Sequence, residues 1–218
     1  MEIFQAHPLT LFIAAAALML AVAFYTSWKR RTELGQLAAS LGLPFSPDGP
    51  DKGALESTGL EIFRLGHYRR ARNLVQVQSR SGTISFFDYR YTTRAGKHSH
   101  NHHFTLALLH CPAHTVPDFD LKPEAFLYKI GEALGFKDID LPAFPLFSEK
   151  YRLTGPDETA VHLFFTPQRA AWFERNLGLR MQGATGHVLF FKRETRLPAD
   201  AWQGFMEEAK AFAQEALR

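Results

Sequence analysis

The chain has 218 residues, 46% hydrophobic and 22% charged, an ordinary globular composition once its apolar N-terminus is set aside. Its 25 Lys and Arg stand against 22 Asp and Glu, a balance that lacks the concentrated basic face of nucleic-acid binders, so no nucleic acid is expected as a partner. The single cysteine, Cys111, excludes an internal disulfide and suits a reducing compartment, while singly scattered Gly and Pro argue against a long helical bundle or a disordered tail.

No charged side chain occurs over residues 8–28, and residues 11–25 are apolar without interruption. At a rise of ~1.5 Å per residue, about 20 residues cross the ~30 Å hydrocarbon layer of a bilayer. Tyr25 and Trp28 end the run with rings suited to the headgroup level, and Lys29, Arg30 and Arg31 follow at once. A cleavable signal peptide would carry positive charge before the apolar run, whereas Glu2 precedes it here. The expectation is a single-pass anchor over residues 1–31, contacting the lipid bilayer through residues 8–28. The flanking cations place the N-terminus outside and the rest in the cytoplasm.

Residues 32–41 predict a short juxtamembrane helix stopped by Gly42, and Pro44, Pro47, Gly49 and Pro50 predict a stiff linker, so 32–54 joins the anchor to a cytoplasmic domain over 55–218. Stretches rich in Val, Ile, Phe and Tyr predict strands over 60–65, 74–79, 83–92 and 103–111, in an antiparallel meander. Pro123 opens a predicted helix over 123–134. Thr166 and Pro167 open another, with Phe173 and Leu177 inward and Gly178 as its stop. Two strands, 179–184 and 187–193, flank the Thr185-Gly186 turn. The last helix, 198–217, carries Trp202, Phe205, Met206, Ala209, Phe212, Ala213 and Ala216 as an apolar stripe. Locally pairing strands with helices gathered later predict an α+β fold: a transmembrane helix followed by an antiparallel-sheet domain with packed helices.

Four patterns carry candidate chemistry. His98, His100 and His102 project to one side of an extended backbone, and imidazoles so placed can bind zinc, copper or nickel; the run is expected at a hairpin tip. His67, Arg69, Arg70 and Arg72 gather cations and a ring in a predicted turn, chemistry that grips phosphate, lipid headgroups or an acidic partner. Cys111 near His110 and His114 has too few ligands for a closed zinc site and reads as a buried structural thiol. Asp138 and Asp140 read as a solvated edge before an acid–base pair. Phosphate-loop, dinucleotide-fingerprint, nucleophile-elbow and metalloprotease motifs are all absent, and nothing calls for a cofactor.

Three stretches, Phe87-Asp88-Tyr89-Arg90-Tyr91-Thr92, the run from Val116-Pro117-Asp118-Phe119 to Glu124, and Phe147-Ser148-Glu149-Lys150-Tyr151-Arg152-Leu153-Thr154-Gly155, resemble a group of bacterial membrane-anchored proteins that share a domain of unknown function. The resemblance covers roughly residues 34–191. It implies a bacterial source and a membrane-tethered domain, and it carries no catalytic residues. Two functional readings follow: an interaction module held at the membrane that binds a protein or a lipid headgroup, including a membrane protein partner; or a hydrolase or metal-dependent enzyme that unites His110, His114 or His162 with distant carboxylates.

Overall fold

The structure is a computed structural model that describes residues 8–112, 115–124, 137–192 and 194–215. A long helix α1 (Pro8–Ser40) leads into strand β1 (Phe45–Asp48), helix α2 (Lys52–Ser57) and a 3₁₀ turn at Glu61–Phe63. Three long strands follow, β2 (His67–Ser79), β3 (Gly82–Ala95) and β4 (His98–His110), then β5 (Phe119–Pro123), α3 (Pro145–Lys150), β6 (Tyr151–Thr154), α4 (Glu158–Phe164), α5 (Pro167–Arg175), β7 (Arg180–Ala184), β8 (His187–Phe191) and α6 (Trp202–Glu215). The strands form one sheet in the order β1-β2-β3-β4-β8-β7-β5-β6, antiparallel at every pairing. This is the expected α+β architecture of an apolar N-terminal helix and an antiparallel sheet with helices.

Local chemistry sets the element ends. α1 closes in a Schellman cap: Gly42 adopts φ 64°, its N–H donates to Ala39 O at 3.1 Å, and Leu43 N–H donates to Ala38 O at 2.9 Å. Asp51 caps α2 by accepting from Gly53 and Ala54, and Thr166 caps α5 ahead of Pro167. In β2 the register slips between Arg72 and Val75, a bulge at which Asn73 takes φ 57°. An asparagine tolerates that left-handed conformation better than most side chains, and the bulge turns it into the sheet's interior face.

Period-two alternation sends the strands' apolar residues to two faces. On the first face Ile84, Phe86, Ala107, Leu109, Val188 and Phe190 join one core with Trp202, Phe205 and Phe212 of α6, Leu34 and Ala38 of α1, and Phe147, Val161 and Phe173 of α3–α5. On the second face Phe87, Tyr89, Tyr91, Phe104, Leu106 and Phe191 pack under Leu55 of α2 and Leu60, Ile62 and Phe63. Much of the heavy Phe content is spent here, each fully buried ring contributing about 1.5–3 kcal/mol.

Residues 9–29 of α1 remain outside both cores, nearly all exposed, and the helix is long and apolar enough to cross a membrane. Its C-terminal part is docked, since Leu34 and Ala38 are buried to 0% and 1% exposure. The apolar segment thus runs without interruption into the juxtamembrane helix read over residues 32–41, as one helix.

Several elements differ from expectation. The Pro-rich stretch read as a linker supplies β1, because Phe45 and Ser46 find open ladder positions opposite Val75 and Leu74 at the sheet edge. Residues 61–63 wind as a 3₁₀ turn instead of a strand, so that Ile62 and Phe63 both face the second core. The basic stretch 67–72 is the start of β2 rather than a turn, and the histidine run begins β4 at His98, leaving Gly96 and Lys97 to turn the chain. Pro123 ends β5, where it opposes Tyr151; the rest of the helix expected over 123–134 lies outside the described residues, apart from Glu124. Leu177, expected inward, is 59% exposed beyond the end of α5. The Thr166 cap, the Thr185-Gly186 turn and the α6 stripe from Trp202 to Ala213 are as read from the sequence.

Candidate functional site

Where α1 leaves the sheet, a carboxylate organises the contact. Asp88 of β3 accepts two hydrogen bonds from Arg30, Nε to Oδ2 and Nη2 to Oδ1, both at 2.7 Å. Asn73 Nδ2 donates to Oδ2 at 2.8 Å, and Thr105 Oγ1 of β4 donates to Oδ1 at 3.2 Å. Leu197 N–H in turn donates to Thr105 Oγ1 at 2.9 Å, tying in the segment before α6. The Asp88 and Arg30 side chains are 6% and 15% exposed, so this bidentate pair is a fixed fork rather than a loose surface contact. Arg30 lies two residues, ~3 Å along the helix axis, from Trp28, the last residue of the uncharged stretch.

Around that joint the surface is cationic. Across the strands Arg72 opposes Asp88 and Arg70 opposes Arg90, so these arginines share the face on which α1 docks. Burial, together with the guanidiniums of Arg70, Arg90 and Arg196, holds the Arg72 pKa below its ordinary value, with Asp48 pulling the other way. His103, opposite Arg90, is likewise lowered by burial, Arg196 and Arg90, against the smaller pull of Asp88. Asp88 is already engaged by Arg30, and the exposed Arg70, Arg90 and Arg196 all lie near Arg72, with Asp48 opposite it in β1, a clustering of cations that favours an incoming anion.

The four residues singled out in the basic stretch are therefore divided. Arg70 and Arg72 belong to the cationic surface. Arg69 points to the opposite face, where its Nη2 pairs with Glu56 at 2.9 Å, and His67 stacks edge-on against Tyr68 at 5.1 Å. Arg30, Arg196 and the Asp88–Arg90 pair of β3 come from three distant parts of the sequence, and only the packing of α1 and of the segment before α6 on the sheet brings them together.

A second group lies on the other face. His100 and His102 point to the same side of β4, as their spacing predicts, and meet Glu194 from the segment after β8; the ligand atoms of the three lie within 4.8 Å of one another. His98 is not part of it, standing opposite Ala95 at the strand's start. His102 Nδ1 contacts Glu194 Oε1 closely, His102 Nε2 lies 2.8 Å from Thr93 Oγ1, and His100 Nε2 lies 3.5 Å from Glu194 Oε1. The His102 ring stacks on Tyr91 at 4.5 Å, and burial pushes the Tyr91 phenol up to about 12, with Glu194 adding to the rise. Nothing local in the sequence marked Glu194.

The remaining candidates are structural. Cys111 is fully buried, donates to Gly186 O at 3.3 Å, and has its thiol pushed up to about 11 by burial, the opposite of an activated nucleophile. Asp138 accepts from Leu153 N–H at 3.0 Å and so shapes a chain turn. His110 stacks on His187 at 4.8 Å, His162 sits beside Glu158 one helical turn away, and His114 lies outside the described residues. Among the described residues neither His110 nor His162 belongs to a group of three potential metal ligands. A cleft of about 230 Å³ between Asp48, Asp51, Phe63, Arg69 and Tyr89 is smaller than the about 300–1,000 Å³ of ordinary ligand pockets.

No protein-family model matches the chain, and no curated protein matches it significantly. Among solved structures, the chain is similar to the crystal structure of the mycobacterial trehalose monomycolate transport factor A, TtfA, with a TM-score of 0.55 at 14% sequence identity. The match covers 85% of this chain and 91% of that one. The likeness lies in the fold: the same overall course of an α+β chain, reached with a very different sequence.

Proposed function

We propose that this chain is a single-pass protein of the bacterial cytoplasmic membrane, with its N-terminus outside, whose α+β domain lies on the cytoplasmic side as an interaction module for anionic lipid headgroups. The observation that carries the reading is the Arg30–Asp88 joint. It fixes the cationic face of the sheet close to the point where the uncharged helix ends. With Tyr25, Trp28, Lys29 and Arg31 at that same level, Arg70, Arg72, Arg90 and Arg196 stand at headgroup height, where a phosphate meets forked guanidinium donors. A fold shared with a protein named for trehalose monomycolate transport supports a lipid-related role.

The test uses the full-length protein in nanodiscs of mixed anionic and zwitterionic lipid, released into native mass spectrometry. Near an anionic surface each cation contributes about 1 kcal/mol, so R70Q/R72Q/R90Q/R196Q should lower the retention of anionic lipid at least ~10-fold while leaving zwitterionic lipid unchanged. Equal retention of anionic lipid by the wild-type chain and this variant would refute the reading.

A further inference from the structure

We propose that His100, His102 and Glu194 form a binding site for one divalent transition-metal ion of the zinc type, placed on the sheet face opposite the arginine surface. The site is independent of the lipid reading. Its two imidazoles come from alternate positions of β4, and its carboxylate comes from a segment 92 residues later, so the fold gathers ligands that a flexible histidine run could not supply alone.

The distances suit a small ion. Zinc takes nitrogen at about 2.0–2.1 Å and carboxylate oxygen at about 2.0–2.2 Å, which puts tetrahedral ligand atoms roughly 3.3–3.5 Å apart. His100 Nε2 and Glu194 Oε1 are 3.5 Å apart. His102 Nδ1 and Glu194 Oε1 are now in direct hydrogen-bond contact, and a metal replacing the proton between them needs only a modest opening of that pair. The Glu194 and His100 side chains are 33% and 73% exposed and free to make it, while His102, at 16%, is the fixed member.

Support behind the ligands is also present. With a metal on Nδ1 of His102, its Nε2–H is left to donate to Thr93 Oγ1, 2.8 Å away, which sets the tautomer; stacking on Tyr91 sets the ring plane. β3–β4 register brings both supports within reach, with Tyr91 directly opposite His102 and Thr93 diagonal to it, opposite His100. Two imidazoles and one carboxylate select zinc, nickel, cobalt, iron or copper over magnesium and calcium, which prefer oxygen. Three protein ligands leave the fourth position to water.

Zinc titration of the full-length protein in detergent, read by calorimetry and by competition with a chromophoric chelator, tests the site. One zinc per chain is expected, undisturbed by millimolar-scale excess of magnesium. H102A and E194Q should each weaken zinc binding at least ~10-fold, and T93V, which touches no metal, also ~10-fold. H98A should change it less than ~2-fold. Zinc should also slow hydrogen exchange at residues 98–102 and 194–197 in the wild-type chain only, a readout that a folding defect in a variant cannot imitate. The proposal is overturned if no saturable binding is found. It is equally overturned if E194Q binds as the wild type does, or if H98A weakens binding as much as H102A; the histidines would then be capturing metal as a linear run.

Discussion

The two faces of the central sheet are made by the same strands and do different work. On the first, α6, the end of α1 and α3–α5 cover a broad core, which stops at the Asp88 joint and gives way to arginines. On the second, among the described residues, α2 and the 3₁₀ turn at Glu61–Phe63 cover a narrower aromatic layer, which stops at His102 and Glu194. Neighbouring residues are parted accordingly: Arg69 from Arg70, and His102 from His103. A run of like residues on an extended strand is thus two half-sites, and each half is completed by whatever segment covers its side.

The strongest way to sharpen this comparison is to remove one covering ring from each face. Trp202→Ala, fully buried on the broad face, should cost about 4–5 kcal/mol of unfolding free energy, and Phe63→Ala, under the thinner cover, about 3 kcal/mol because fewer elements surround the gap. Urea denaturation of the two variants checks the order, and a larger loss for Phe63→Ala would break the ranking of the faces. Next in size, Asp88→Ala leaves Arg30 facing Asn73 without its counter-charge and should cost about 3 kcal/mol, with faster hydrogen exchange over residues 28–40; adding Arg30→Met should restore most of it.

Smaller still, Gly82→Ala strains the start of β3. An added Cβ would sit 1.9 Å from His110 O, at φ 139°, so a loss of about 1–3 kcal/mol is expected by the same denaturation assay. The smallest effect is in pH. His103 on the first face and His187 on the second are both lowered below the ordinary histidine value, each chiefly by burial. The unfolded chain then takes up protons first, so their stabilisation is present above about pH 6.5 and is lost as the pH falls through the lowered native values. Stability curves should flatten between about pH 7 and 5 in His103→Gln and His187→Gln, measured against the wild type.

The legible part of the fold was what local pattern dictates. An uncharged apolar stretch, alternating Phe- and Tyr-rich strands, a Thr-Pro helix start and a 3.6-residue apolar stripe each announced an element. What stayed hidden depended on partners. Phe45 and Ser46 are strand residues only because the edge of β2 stands open beside them, and two prolines around them masked that. The six-residue helices α2 and α3 are too short for periodicity to speak. The candidate sites divide the same way: the spacing of His100 and His102 showed that they share a side, while Glu194 and Arg196 enter through a connection whose course no nearby residue encodes.

The central claim, that the cationic face of the sheet lies at the headgroups beside the emerging helix, is tested most directly by paramagnetic relaxation in nanodiscs doped with a gadolinium-headgroup lipid. Residues 70–72, 90 and 196 should be strongly broadened, whereas His110 and His187 should stay sharp, because His110 lies seven residues, ~23 Å, further along β4 than His103, the cross-strand partner of Arg90. Equal broadening at both ends of β4, or none at the arginines, would contradict the account.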